Sequence, residues 1–479
     1  MKTRNLQKLN HRYALDAGDT GGFLVIFLCF LLTSAGYLGW LYHLIDLKPA
    51  ADVDLLTEVL GYLCQAAGMG VIAGCAYKKP EAAARSGFLI SCLLFNVFLF
   101  PAVFLTNTTA VILCGFIMNL FCGCIAGYYL LDLASNVNAE KRATVFSLGY
   151  GTAALAMWLL SRVRVLSGMR AFLIPALCVL TTACIGIYLP RRKRLVSGFV
   201  SAGDSRGSDF TAISFGEDPG SGENTSGSAG TIVLTACLTI LLLSMVKNLG
   251  FSFPSADIIQ GISLETTRMF YAAGLIISGF VCDRSRKYGA LCCLISLVIP
   301  FVMLTLSGEP VSAAALWCLN YFTYGFVAVF RVILFSDIAD AGRMLPLSVL
   351  GLFSGRIGDA LGTSVYLLCG GRRSILIVIT ALLFMITMFL FFHLYQLIYM
   401  PEQVSQKSEE ERFFAFAVRY DLSPREQDVL QRILQGDSNS EIAAELFVAE
   451  STVKYHVHNI LQKTGCRNRN ELMMIYRTS

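Results

Sequence analysis

The chain has 479 residues, of which 55% are apolar and only 15% charged, with a formal net charge of +5. A soluble globular chain averages about 25% charged residues, so this composition excludes a protein that faces water along most of its length. Runs of about 18 or more apolar residues read as membrane-crossing helices. About twelve follow one another, at 22–44, 55–76, 87–106, 108–131, 143–161, 171–189, 231–252, 267–282, 289–307, 311–335, 345–369 and 374–399. The first run exceeds the apolar core of a signal peptide and no small-residue cleavage site follows it, so it is read as a span.

Lys and Arg in the loops set the orientation. The N-terminus (Lys2, Arg4, Lys8, Arg12), the loops at 78–85, 141–142 and 284–287, the middle segment at 191–206 and Arg343 carry 18. The opposite side, with Lys48, Arg162, Arg164, Arg170, Arg268, Arg372 and Arg373, carries 7. Both termini are therefore expected in the cytoplasm of a bacterial cell, with the chain crossing its inner membrane an even number of times. The 16 cysteines lie mostly inside apolar runs. Cys122-x-Cys124 reads as small residues in a packed helix rather than a metal pair. No cofactor is implied, and no nucleophile–base or metal constellation supports an enzyme.

The apolar part divides into two sets of six spans, 22–189 and 231–399, after a short N-terminus (1–21). Between them, residues 190–230 end in "SGFVSAGDSRGSDFTAISFGEDPGSGENTSGSAG", rich in Gly, Ser and Asp without apolar periodicity, and read as a flexible tether. The two halves are faintly alike: "GYYLLDLASNVNAEKRATVFSLGYG" and "RVILFSDIADAGRMLPLSVLGLFSG" each carry an Asp near a helix end, a small basic loop and a Gly-bearing helix. The loop "GFVCDRSRKYGA" has Gly279, Asp283, Arg284, Arg286, Lys287 and Gly289 in the pattern G-x-x-x-D-R-x-R-K-x-G. Here the chain resembles the major facilitator superfamily, over roughly 20–399 in architecture but in motif only at these residues. The first-half counterpart, "GCAYKKPEAAARSG", lacks the Asp and the Arg-Lys pair. Gly70 and Gly74 in span 2, and Gly351, Gly355, Gly358 and Gly362 in span 11, recur at the spacing that lets helix backbones approach. The resemblance puts these spans at the seam between halves, leaving open a sliding seam or plain tight packing.

After a charged linker (400–415) the chain changes character. Ser423-x-x-Glu426, with Pro424 at the first helical position, Ser438-x-x-Glu441 after the Gly436-Asp437 turn, and Asn468-x-x-Glu471 each have capping-box spacing. Val429, Leu430 and Leu434 share one helix face, Ile442, Ala443 and Leu446 a second, and Val453, Val457, Ile460 and Leu461 a third. Four short helices in residues 416–479 with a tight turn between the second and third make a helix-turn-helix bundle. A helix from about 450 to 464 exposes Glu450, Ser451, Lys454, Tyr455, His458 and Asn459 for a DNA major groove. Residues 451–479 carry Lys454, Lys463, Arg467, Arg469 and Arg477 against Glu471 alone, a charge balance suited to phosphates.

This segment resembles the LuxR-type DNA-binding domain through Leu422, Arg425-Glu426, Val429-Leu430, Gly436, Ser438-Asn439, Glu441-Ile442-Ala443, Leu446, Thr452-Val453-Lys454, His456, Ile460, Lys463, Gly465 and Arg469. The resemblance implies that Lys454, Tyr455 and His458 read base edges. It implies that Thr452, His456 and Lys463 position the phosphate backbone, and that two copies pair on double-stranded DNA through the last helix. Ser440 stands where the family has Lys, and Ala449 where it has a capping Ser.

The fold class expected is therefore all-α: a twelve-helix, two-half membrane bundle with a C-terminal four-helix DNA-binding domain. No receiver, kinase or nucleotide-binding segment accompanies that domain, so the bundle is the candidate input. Polar and aromatic residues on spans 1, 4, 7 and 10, which line the central cavity in the resembled superfamily, are the candidate ligand contacts. They are Tyr37, Trp40, Asn119, Lys247, Asn248, Tyr321, Tyr324 and Arg331, with His43 and Trp317 beside them. They point to a small aromatic or anionic ligand with Lys247 as counter-ion. Asp132, Asp337 and Asp359 are read near helix ends. Few acids inside the bundle and the degraded loop favour a one-component regulator, which the chain as a whole resembles, over the alternative of a transporter with a regulatory tail.

Overall fold

The structure, a computed structural model, describes residues 16–47, 51–78, 85–162, 170–188, 225–251, 264–306, 310–342, 344–370, 372–400 and 412–478. The expected N-terminal segment before 16, the charged linker at 401–411 and the basic residues at 163–169 and 343 lie outside them, as does the expected tether at 190–230 up to residue 224; its residues 225–230 are helical and open the seventh span. The chain forms two compact units, Met1–Tyr395 and Gln396–Ser479.

In the first unit the expected spans appear as α1 (Ala17–Leu47), α2 (Ala51–Lys78), α3 (Arg85–Phe104), α4 (Thr108–Asn136), α5 (Arg142–Arg162), α6 (Arg170–Tyr188), α7 (Thr225–Phe251) and α8 (Leu264–Arg284). These are followed by α9 (Arg286–Cys292), α10 (Ile295–Leu306), α11 (Pro310–Ala341), α12 (Leu350–Leu368) and α13 (Arg373–Tyr399). The ninth expected span is broken into α9 and α10 at 293–294. Eight helices among the described residues are long and apolar enough to cross a membrane.

The halves pack alike. α2 packs on α4 and α8 on α11, while α1 packs on α5 and α7 on α12. Across the halves α5 meets α8 and α2 meets α12. Glycine makes the first pair of contacts possible. A Cβ on Gly68 would fall 2.0 Å from the Leu120 carbonyl oxygen, and one on Gly274 the same 2.0 Å from that of Phe322. Counting nine residues on from each of these carbonyls sets Tyr129 of α4 and Arg331 of α11 at matching places. Spans 2 and 11 meet across the halves as the resemblance implies, with a Cβ on Gly70 falling 3.5 Å from the Phe353 ring of α12, but the α12 glycines themselves face other helices. Gly351 abuts the Arg331 carbonyl of α11, and Gly358 and Gly362 abut the Leu241 and Met245 carbonyls of α7. A Cβ on Gly74 would meet nothing within 4 Å.

The loop motif at 279–289 joins the halves. The Asp283 carboxylate accepts the Ala143 N–H (3.1 Å) and the Thr144 N–H (2.6 Å) at the start of α5. Arg286 donates to Asp283 (2.7 Å), Asp337 (2.9 Å) and the Ala139 carbonyl (2.7 Å), and Arg142 pairs with Asp340. Such carboxylates satisfy N–H groups that a helix start leaves open. Lys78 occupies the first-half counterpart of Asp283, and the 3-10 turn Leu345–Val349 before α12 starts at Met344 without a side-chain cap.

Candidate DNA-binding face and the charged interior of the bundle

In the second unit a helix at 412–419 precedes α15 (Pro424–Gln435), α16 (Asn439–Glu445), α17 (Glu450–Thr464) and α18 (Arg469–Thr478), and is labelled α14. Its Phe416 and Ala417 join the core of Leu422, Val429, Leu430, Ile433, Ile442, Val453, Ile460, Leu472 and Tyr476. The folded domain thus begins by 412, inside the segment read as linker up to 415. Ser423 and Ser438 form complete capping boxes with Glu426 and Glu441. Gly436 (φ +93°) and Gly465 (φ +72°) end α15 and α17 in the left-handed region, where a side chain is disfavoured. The third expected box is half formed. The Asn468 side chain accepts the Glu471 N–H at 2.9 Å, but the Glu471 carboxylate takes the Arg467 N–H at 2.7 Å. The backbone at the start of α17 receives no side-chain bond from Ala449.

On α17, Ser451, Lys454, Tyr455, His458 and Gln462 are exposed at i, i+3, i+4, i+7 and i+11, one face of a helix. Thr452 is exposed beside them, while His456 and Asn459 are half-buried. Lys454 lies 2.9 Å from Glu450, both exposed, a pair that water screens heavily and that phosphate competes with easily. Val453 and Ile460 face inward. The Nδ1 of His456 is buried without a hydrogen-bond partner. Arg467 is exposed.

Two expected phosphate contacts are otherwise engaged. The Lys463 ammonium lies 2.7 Å from the Glu426 carboxylate and 2.7 Å from the Asp421 carbonyl. Arg469 donates to the Asp437 carbonyl. Both tie helices together at the ends of α15, Lys463 while remaining exposed and Arg469 half-buried. Burial pushes the Glu426 carboxyl up. The hydrogen bonds from Lys463 and Ser423 outweigh it and hold the group below its ordinary 4.5.

Inside the bundle, the Asp359 carboxylate of α12 is fully buried. Lys247 of α7 reaches it at 2.6 Å, Arg356 at 3.4 Å and Arg331 of α11 at 3.7 Å. The Lys247 ammonium sits 3.9 Å from the centre of the Tyr324 ring, and the Arg356 guanidinium 5.2 Å from that of Tyr62. Tyr62 donates to Glu58 at 2.6 Å. Tyr324 packs on Tyr271 (5.1 Å), which also meets Tyr150 (5.3 Å) and Tyr321 (6.4 Å), and Trp317 adjoins Tyr321 (5.9 Å). Asn248 donates to Thr363 and to the Asp359 carbonyl.

The same C-terminal segment carries the similarities to known proteins. The family described as bacterial regulatory proteins, luxR family, matches residues 421–476. The spore germination protein GerE of Bacillus subtilis is 38% identical over 53 residues, which are 11% of this chain and 72% of that protein. The chain belongs to the luxR family of bacterial regulatory proteins. The uncharacterized transcriptional regulatory protein YhcZ of Bacillus subtilis is 52% identical over 52 residues, and the chain spans 24% of its length. The chain is also similar to two solved structures. The human organic anion transporter MFSD10 has a TM-score of 0.49 and 17% identity over 78% of this chain and 98% of that one. The fucose:proton symporter FucP of Escherichia coli has a TM-score of 0.49 and 14% identity over 78% and 97%.

For this luxR-family chain the expected ligand residues do not form one set. Lys247, Asn248, Tyr324 and Arg331 gather round Asp359, and Tyr321 adjoins them through Tyr271. Trp40 and Asn119 lie elsewhere in packing. The Trp40 indole donates to the Val111 carbonyl at 3.1 Å, and Asn119 bonds Gln65 (2.7 Å) and the Gly115 carbonyl (2.9 Å). In this structure their polar atoms are met within the bundle, by α4 for Trp40 and by α2 and α4 for Asn119. Tyr37 is half-buried against the Trp40 ring. Lys247, read as counter-ion to a ligand, has Asp359 as its carboxylate. Asp359, read near a helix end, lies in the middle of α12. Asp19 was missed: fully buried, it pairs with Lys141 at 3.3 Å. Its signal was Asp16-x-x-Asp19, where Asp16 accepts the Asp19 N–H at 2.7 Å and Asp19 the Asp16 N–H at 3.2 Å.

Proposed function

We propose that this chain is a membrane-anchored, one-component transcription regulator. The bundle crosses the bacterial inner membrane with both termini in the cytoplasm and binds a small molecule. The luxR-family domain binds promoter DNA as a dimer. The carrying observation is the union, in one chain, of a helix-turn-helix domain with eight helices, among the described residues, that are long and apolar enough to cross a membrane. Ligand acts by its differential affinity for two states of the bundle, altering the pairing or reach of the DNA-binding domain. Lys454, Tyr455 and His458 read base edges, while Thr452, His456, Asn459 and Arg467 contact the backbone. Met474, exposed on α18, and its neighbours Met473 and Ile475 supply apolar surface for pairing.

A reporter on the promoters beside the gene tests this reading with a panel of small aromatic and anionic compounds. The double substitution Lys454→Ala/His458→Ala removes compound-dependent expression while the protein stays in the membrane. An unchanged response would end the regulator reading. The buried Lys247–Asp359 pair favours a second reading, a transporter whose tail binds DNA, since a carboxylate deep among apolar helices is what ion coupling uses. Uptake of a labelled inducer into vesicles separates the two.

A further inference from the structure

Arg331 is 96% buried by its 4% exposure, yet its Nε and one terminal nitrogen, Nη1, have no hydrogen-bond partner. The Asp359 carboxylate, 3.7 Å from Nη1, stands beyond hydrogen-bond reach. The Ser244 hydroxyl of α7 is likewise buried and without a partner. Both groups lie around Gly355: a Cβ there would fall 2.7 Å from Arg331 Nη1 and 3.3 Å from Ser244 Oγ. A guanidinium in an apolar bundle is costly unless its donors are met, so donors left open there mark a place for an acceptor from outside the chain.

The charges agree. Lys247, Arg331 and Arg356 surround the Asp359 carboxylate. Adding Glu58, which interacts electrostatically with Asp359, Lys247 and Arg356, still leaves one cation more than anions. Asp359 engages Lys247 closely and the arginines loosely, so the surplus lies on the arginine side. Tyr324 and Tyr271 both lie near enough to Arg331 to interact with it electrostatically, and their rings continue through Tyr150, Tyr321 and Trp317 as an aromatic wall. Arg331 Nη1 and the Ser244 hydroxyl, side by side at Gly355, can each donate to one oxygen of a carboxylate, and the wall favours a flat, apolar body.

The geometry points to a binding site for a small aromatic carboxylate, held at its oxygens by Arg331 with Ser244 and flanked by the tyrosines. This deepens, and rests on, the reading of the bundle as the ligand-binding part of a regulator. The orphaned Arg331 donors carry it, independently of the DNA-binding domain.

The test uses the full chain in detergent micelles, with thermal unfolding followed by tryptophan fluorescence. Benzoate and phenylacetate are titrated against their neutral amides to the solubility limit. In the wild type the carboxylates raise Tm with dose, as a ligand of the folded state must, and the amides do not. Arg331→Met abolishes that shift and, without carboxylate, unfolds no lower than the wild type, since it removes a buried guanidinium whose Nε and Nη1 had no partner. Asp359→Asn removes the internal anion, so although less stable it binds carboxylate about tenfold more tightly. Equal effects of carboxylates and amides in both wild type and Asp359→Asn overturn the site. So does a shift that survives Arg331→Met, or an Arg331→Met protein less stable than the wild type. Binding of a labelled promoter fragment is read in parallel. A carboxylate shift in Tm without a change in DNA affinity keeps the site and ends the regulator reading. A change in DNA affinity produced by other compounds alone keeps the regulator and ends the site.

Discussion

Both units bury an ionised carboxylate, and they treat its surroundings in opposite ways. Glu426, 4% exposed, takes the Ser423 N–H at 2.8 Å and the Lys463 ammonium at 2.7 Å, and Lys463 also donates to a carbonyl. Each charge meets a specific donor or acceptor. Asp359 draws three cations from three helices but bonds only one of them closely, leaving Arg331 with open donors. The first arrangement holds a fold in place. The second holds polar capacity in reserve, which in a low-dielectric interior is expensive and so calls for a use.

The largest effect separates them directly. Asp359→Ala leaves Lys247 buried without its carboxylate and lowers the stability of the full chain in micelles by about 3–5 kcal/mol, the usual cost of stranding a buried charge. Denaturant unfolding measures this. Asn119→Ala, which breaks the uncharged buried pair with Gln65, costs about 1–3 kcal/mol. Equal losses would mean that the Asp359 cluster is no more charged in practice than the Asn119 pair, and the contrast would fall.

Glu426→Ala comes next. It removes charge-assisted hydrogen bonds that are worth about 1.5–3 kcal/mol and frees Lys463. A double-mutant cycle with Lys463→Met on a 412–479 fragment sharpens the point, because most of the loss belongs to the pair and the two single losses overlap. If Lys463→Met left stability unchanged and weakened DNA binding alone, Lys463 would be a phosphate contact and not a tie. The acid limb follows from the same group. The Glu426 carboxyl is held below its ordinary 4.5, so the folded domain binds its proton less readily than the unfolded chain does. That stability is present in full above the ordinary value and is lost as pH falls through the depressed one. Thermal unfolding of the fragment between neutral pH and acid shows a decline that Glu426→Gln flattens.

The same contrast governs what was legible in the chain. Ser423-x-x-Glu426 is a local pattern whose partners lie three residues apart, so the cap and the helix start were visible in the sequence, as were the apolar runs. Lys247 and Asp359 lie 112 residues apart, and nothing in "SGRIGDALG" announces that its Asp belongs to a lysine five helices earlier in the chain, on the helix that packs against it. The glycine stripe in α12 was visible as a close-packing signal, but its partner was not: spacing says that a backbone approaches, and only packing says that α7 and α11 are the ones that do. Trp40 and Asn119 read as ligand contacts for the same reason. A polar side chain in an apolar run announces that it needs a partner, not whether the protein supplies it.

The smallest prediction concerns α17. Its neighbours α15 and α16 start with complete caps, whereas the face-bearing helix starts at Ala449 with none. Ala449→Ser adds a cap worth about 0.5–2 kcal/mol, seen as a higher Tm of the 412–479 fragment. If the open helix start serves phosphate, as helix N-termini readily do, the added hydroxyl competes with DNA for the same N–H groups, and affinity for a promoter fragment fails to rise with stability. Affinity that rose in step with Tm would make the missing cap a simple weakness of the fold. The opposite result would extend the contrast to both units: settled polar groups where the chain holds its shape, and open ones at Arg331 and at α17, where it meets something else.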